Sequence, residues 1–145
     1  MTKLSSNEIE AANRAEVTAL LIRAGFRVYR PEADVHGEDL VLRTPEGALR
    51  SVQLKSRPHV DQKKYGGRGV WMLFPDPAFK LGRDWFLIEH DVLFTTFKEW
   101  HGHTPGWSDM WNTPSVSKKL REVLEPCTQL HWTSAGLSDA APSVE

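Results

Sequence analysis

The sequence predicts an α/β domain in which a central β-sheet is flanked by helices. Three observations carry this reading. An amphipathic run from residue 5 to a glycine at 25 has helical spacing. Three short segments follow it, each bounded by turn-forming residues. Two almost wholly apolar runs, Val70–Phe74 bounded by Gly69 and Pro75 and then Trp85–Ile88, have the length of central strands. A helix followed by three sequential strands usually packs on one face of the sheet those strands build.

The first helix has two possible starts, because Ser5 with Glu8 and Asn7 with Glu10 both fit a capping box. Ile9, Val17, Leu20, Leu21 and Ala24 form its apolar side, and Gly25 supplies the stop. Glu10 points within about 40° of the centre of that side. A carboxylate there either faces a cleft, a partner or a metal, or lies in the exposed first turn where it favours the helix dipole.

Phe26–Arg30 alternates and ends at Pro31, as a short strand does, and Pro31 to Gly37 is a loop. Asp39–Arg43 is a second strand. Thr44-Pro45-Glu46-Gly47 turns the chain back, so Leu49–Lys55 is a third strand antiparallel to the second. That turn pairs positions whose numbers sum to about 92 and brings Asp39 beside Gln53. Pro58 to Gly69 is polar and basic and reads as an irregular short helix or a loop. The two apolar strands are joined by a short return. A helix runs from His90 to Trp100, and His101 to Thr113 has no clear period. Pro114 to Leu124 is a last helix and Leu130–Trp132 a small strand. Residues 1–133 are expected to form one domain and 134–145 a flexible Ser/Ala/Pro-rich tail.

At 145 residues, with 40% hydrophobic and 26% charged composition, the chain can build its own core. One cysteine, Cys127, excludes an intramolecular disulfide and a cysteine-rich zinc site. No apolar run approaches the roughly 20 residues of a membrane span. Met1–Ser5 lacks a signal-peptide apolar core, so a cytoplasmic protein with no membrane partner is expected. The net charge of −1 conceals an uneven distribution. Residues 50–83 carry eight Lys/Arg against two Asp/Glu, a local net of +6. Such a block is either a phosphate-binding surface or a solvated face balanced by acidic neighbours.

Three polar residues stand together in this reading. Gln53 and Lys55 leave the same strand face, and Asp39 lies across the hairpin from them. Asp39 offers a hard anionic oxygen for Mg²⁺, the Gln53 side chain a neutral one, and the Leu54 backbone carbonyl a third. A metal held there acidifies water and offsets charge on a phosphate under attack. Lys55 can position or deprotonate that water, and Glu10 can complete the shell. Arg57, Lys63, Lys64 and Arg68 follow at once and would hold a phosphate backbone. His101-Gly102-His103 lacks a third ligand nearby, and Trp107 and Trp111 either cap the core, stack on a base or form a subunit contact.

The arrangement of Glu10, Gly37-Glu38-Asp39-Leu40-Val41-Leu42 and Ser51-Val52-Gln53-Leu54-Lys55-Ser56 resembles the PD-(D/E)xK nuclease superfamily. The resemblance covers roughly residues 6–100 and is sharp over 37–56. It implies a restriction-endonuclease-like α-β-β-β-α-β core with a mixed sheet. It also implies Asp39 as the motif aspartate, Gln53 at the acidic position, Lys55 as the motif lysine and Glu10 as the first-helix glutamate. Glu38 stands where the family has Pro, and Gln53 where it usually has an acid. The implied activity is Mg²⁺-dependent DNA endonuclease, with Mn²⁺ as a substitute metal and a homodimer as the economical way to reach both strands. A non-catalytic DNA-binding or protein-interaction module that keeps the fold is the alternative.

Overall fold

The computed structural model describes residues 3–32, 38–76 and 82–131. In chain order its elements are α1 (Ser6–Arg23), β1 (Arg27–Tyr29), β2 (Leu40–Arg43), β3 (Leu49–Leu54), β4 (His59–Asp61) and α2 (Gln62–Tyr65). These are followed by β5 (Val70–Asp76), β6 (Asp84–Glu89), α3 (His90–His101), β7 (Met110–Asn112), α4 (Lys118–Leu124) and β8 (Thr128–His131). Six strands form a mixed sheet in the order β1-β2-β3-β5-β6-β8. The β3–β5 pair is parallel and the other neighbours are antiparallel. The fold is α/β, a mixed sheet flanked by helices, as the sequence predicts.

Ser5 starts α1. Its hydroxyl accepts from the Glu8 N–H at 3.2 Å, and Glu8 Oε1 accepts from the Ser5 N–H at 2.8 Å, closing the capping box. Asn13, Val17, Leu20 and Leu21 form the buried stripe, spaced three and four apart. Ala24 caps the helix and is exposed rather than part of the core. On the sheet face beneath α1, its three apolar residues meet Leu40, Leu42, Val52, Leu54, Leu73 and Leu87. On the opposite face, Leu93 and Phe97 of α3 and Leu120 and Leu124 of α4 pack with Met72, Phe74, Phe86 and Ile88. Each such buried side chain contributes about 1.5–3 kcal/mol, so the two faces fix where the helices lie.

The β2–β3 hairpin has the expected register, with Leu40 opposite Val52 and Arg43 opposite Leu49. Thr44 and Gly47 close the turn, Gly47 at φ +98° and donating to the Thr44 carbonyl at 2.8 Å. A parallel β3–β5 pair needs a crossover. β4 and the single turn of α2 supply it, with Tyr65 buried beneath and the Asp61 carboxylate accepting from the Lys64 N–H at 3.1 Å.

Four expectations are corrected. The polar stretch from Pro58 contains a strand, β4, which pairs antiparallel with β7 from the segment that showed no period. The strand at Val70 continues through Pro75 to Asp76. It does so because the β3 pairing ends at Leu73, so the missing proline N–H falls on an open edge. The last helix begins at Lys118, where Ser117 Oγ accepts from the Leu120 N–H. The final strand is Thr128–His131, antiparallel to β6. Gly37 of the motif and the tail at 134–145 lie outside the described residues. No helix among the described residues is long and apolar enough to cross a membrane.

Candidate functional site

The end of β3 is where the sequence-predicted residues meet. The Asp39 N–H donates to the Val52 carbonyl at 2.8 Å, just past the Leu40–Val52 pair. The next β3 N–H on that side, from Leu54, has no β2 backbone acceptor, and Asp39 Oδ2 takes it at 2.8 Å. The same oxygen accepts from Gln53 Nε2 at 3.0 Å. Because the partner is a carboxylate, the Gln53 amide must turn its NH₂ toward Asp39. Its Oε1 is thereby left buried and without a hydrogen-bond partner. A buried acceptor without a donor is costly unless something electropositive completes it.

Lys55 follows at the strand end. Its N–H continues the parallel ladder to the Leu73 carbonyl at 2.9 Å. Its Nζ stands 5.6 Å from the centre of the Tyr65 ring, and the Lys64 Nζ stands 5.8 Å from that same ring. The crossover therefore gathers two cations around one buried phenol.

Glu10 lies about one turn N-terminal to Asn13, the first buried residue of α1. Its side chain is 53% exposed and pairs with Arg14 at 3.0 Å. It walls two clefts. One, of about 360 Å³, is shared with Ile9, Asn13 and Leu54 through Arg57. The other, of about 270 Å³, is shared with Arg14, Arg30, Glu38 and Asp39. Lys55, Ser56 and Arg57 also wall a third cleft with His59 and Asn112. The first cleft shares Glu10 with the second and Lys55, Ser56 and Arg57 with the third.

Asp39, Gln53 and Leu54 are thus directly bonded, and Glu10 shares clefts with Asp39 and with Lys55. Among the described residues no group of three or more His, Cys, Asp or Glu is placed to hold a metal. A Mg²⁺ site needs only one or two carboxylates, since the ion keeps waters and uses substrate phosphates. Asp39, Glu10, the orphaned Gln53 oxygen and the Leu54 carbonyl are hard oxygen donors of the kind that ion takes.

The basic block divides. Arg57, Lys63, Lys64 and Arg68 are exposed, and Arg68 donates to the Lys64 carbonyl at 2.8 Å. Arg68 also walls a cleft of about 450 Å³ with Glu38 and Ser51. Arg83 is instead buried. It donates to Asn13 Oδ1 at 2.7 Å and to both Glu16 oxygens, at 2.9 and 3.0 Å, while Trp85 Nε1 donates to Glu16 Oε2. It belongs to the α1–β6 interface. Arg121 of α4 is likewise committed, bridging Asp76 and Asp84.

From sequence, His59 is a candidate to touch a phosphate near the cleft, whereas Asn112 carries no signal. Antiparallel β4–β7 pairing sets them opposite one another. His59 is half-buried, and burial first, then the nearby Lys55 charge, push its pKa below the ordinary imidazole value. His90 is fully buried and structural. Its Nε2 accepts from the Asp61 N–H at 3.0 Å, so the proton sits on Nδ1, 2.9 Å from Asp91 Oδ1. Trp107 and Trp111 cap the second core face, Trp111 stacking on His101 at 4.6 Å. Comparison of the chain with protein-family models, curated proteins and solved structures gives no match.

Proposed function

We propose that the protein is a metal-dependent phosphodiesterase that cleaves DNA as an endonuclease, built on a restriction-endonuclease-like core. The single observation that carries the reading is the Asp39 clamp. One carboxylate oxygen holds both the Gln53 amide and the Leu54 N–H, and leaves a buried amide oxygen without a partner beside it. The element order α1-β1-β2-β3-α2-β5, with β5 parallel to β3, supports the core assignment once β4 is read as an addition.

Asp39, Gln53 Oε1, the Leu54 carbonyl and Glu10 would hold Mg²⁺, or Mn²⁺ in its place. When bound, the ion supplies a water of lowered pKa and offsets negative charge on phosphate. Lys55 orients the attacking water and stabilises charge developing on the phosphoryl oxygens. Arg57, Lys63, Lys64 and Arg68 bind the backbone without reading sequence. Glu10 releases Arg14 when it turns into the cleft, and the exposed pair costs little to break.

A second reading, a DNA-binding module without catalysis, is favoured by the Glu10–Arg14 pairing and by the amide at position 53. The test is a cleavage panel of supercoiled plasmid, linear duplex, single-stranded and branched DNA and structured RNA. Wild type and Asp39→Ala are run with Mg²⁺, Mn²⁺ or EDTA. Metal-dependent cleavage of DNA that Asp39→Ala abolishes is expected. Folded wild type that binds DNA and cleaves nothing establishes the second reading.

A further inference from the structure

We infer that the cleft walled by Lys55, Ser56, Arg57, His59 and Asn112 is a built subsite for a phosphate of the DNA strand, one position along from the phosphate at Asp39. The inference rests on the nuclease or DNA-binding reading and adds to it a contact surface drawn from β4 and β7. The cleft holds about 270 Å³ and shares Lys55, Ser56 and Arg57 with the larger cleft beside Glu10. That larger cleft in turn shares Glu10 with the cleft of Asp39, so neighbouring clefts lead from Asp39 to this one.

Its lining has the chemistry of a phosphodiester site. Lys55 and Arg57 bring two cations, Ser56 a hydroxyl and Asn112 an amide, and among the described residues no carboxylate lines the cleft. The guanidinium and ammonium groups attract the anion, and the neutral donors fix its orientation. His59 feels the charges of Lys55, His90 and Lys64, with Asp61 on its own strand acting in the opposite sense. The imidazole is held low by burial and by these cations, so an arriving phosphate relieves both the local positive potential and the cost of protonation. The two-stranded β4–β7 sheet gives the site its shape. It pairs His59 with Asn112, and the Thr113 N–H fastens β7 to the Pro58 carbonyl at 3.1 Å.

The test measures binding in EDTA, so that it does not depend on cleavage. The probe is a short fluorescein-labelled DNA duplex read by anisotropy across a salt series. Wild type is compared with Asn112→Asp and Arg57→Gln, both at exposed positions where folding is not at stake. Each substitution should weaken binding about tenfold. Arg57→Gln should lower the slope of log affinity against log salt by about 0.9, the value for one phosphate contact. In parallel, the His59 imidazole resonance is titrated by NMR alone, with duplex and with inorganic phosphate, and the duplex should raise its midpoint. Wild type that binds and cleaves DNA, with both variants unimpaired and the His59 midpoint unmoved, overturns the subsite and leaves the nuclease reading intact. A midpoint raised by inorganic phosphate but not by duplex assigns the cleft to free phosphate and also overturns it. Wild type that neither binds nor cleaves DNA overturns both.

Discussion

Gln53 donates from Nε2 to Asp39 Oδ2 across 3.0 Å, so a neutral amide bonds the aspartate directly at the position where the proposed nuclease reading would expect an acid. An acid at that place would put two carboxylates in contact until a cation came between them. The amide lets the pair form without one, at the cost of one ligand charge.

Gln53→Glu should therefore exchange stability without metal for stability with it. Without metal, the variant loses a hydrogen bond to a charged group and gains a like-charge contact, about 2 kcal/mol in all. For a chain of this size that lowers Tm by roughly 5 °C. The deficit should shrink as pH falls and one of the paired carboxyls takes up a proton. Mg²⁺ should raise the variant's Tm more than the wild type's. Thermal melts in EDTA and in Mg²⁺ at two pH values check this, and identical Mg²⁺ responses would remove Gln53 from the metal shell.

Lys55→Ala should reduce cleavage by about 10²–10⁴-fold, the range for a positioned proton-transfer or charge-stabilising group. Affinity for duplex in EDTA should fall only by the weight of one phosphate contact. The Tm should change little, because Lys55 meets Tyr65 only through a cation–π contact at 5.6 Å. Single-turnover cleavage beside anisotropy separates these effects, and undiminished cleavage takes Lys55 out of the chemistry.

Two parts of the basic block should behave in opposite ways. Arg83→Met leaves Glu16 and Asn13 without their buried partner and should cost about 3 kcal/mol, or roughly 10 °C in Tm, with DNA affinity unchanged. Reversal of charge at Lys63 and Lys64 should barely change Tm but weaken DNA binding alike across sequences, lowering the salt slope by about two. Unaltered DNA binding after that reversal would move the backbone-binding surface off α2.

What the sequence made legible was local. The Asp39–Gln53 contact follows from one turn, because Thr44 and Gly47 fix the register and the period of two does the rest. For Glu10 the sequence left a cleft-facing and an exposed first-turn carboxylate open, and its exposed side chain pairs with Arg14 one turn on, a choice no helical wheel makes. Arg83 looked like its basic neighbours because charge alone does not report burial, and its partners Asn13 and Glu16 lie far back in the chain. β4 and β7 were hidden for a similar reason. Each has three residues, no local turn joins them, and α2, β5, β6 and α3 lie between them in the chain, so their pairing is non-local. Arg57 and His59 are legible as phosphate contacts, but His59 and Asn112 meet across that non-local pair, and no sequence pattern announces their juxtaposition.

The pH dependence of His59 should separate its role in the free protein from its role with DNA. In the fold, burial, Lys55, His90 and Lys64 lower its pKa from the ordinary 6.5, and Asp61 only partly opposes them. The unfolded chain therefore binds this proton more readily than the folded one, and stability must rise with pH through this window. Stability from this group is complete above pH 6.5 and is lost as pH falls through the folded value. Urea midpoints between about pH 5 and 7.5 should slope upward in wild type and more weakly in His59→Gln. DNA affinity should run the other way, rising as pH falls from about 7.5 to 6, because a phosphate beside His59 favours the imidazolium that the free fold resists. Binding at pH 6 should then take up a fraction of a proton, read as a dependence of calorimetric heat on buffer ionisation enthalpy. A wild-type affinity that is flat over this range would show that no DNA phosphate reaches His59.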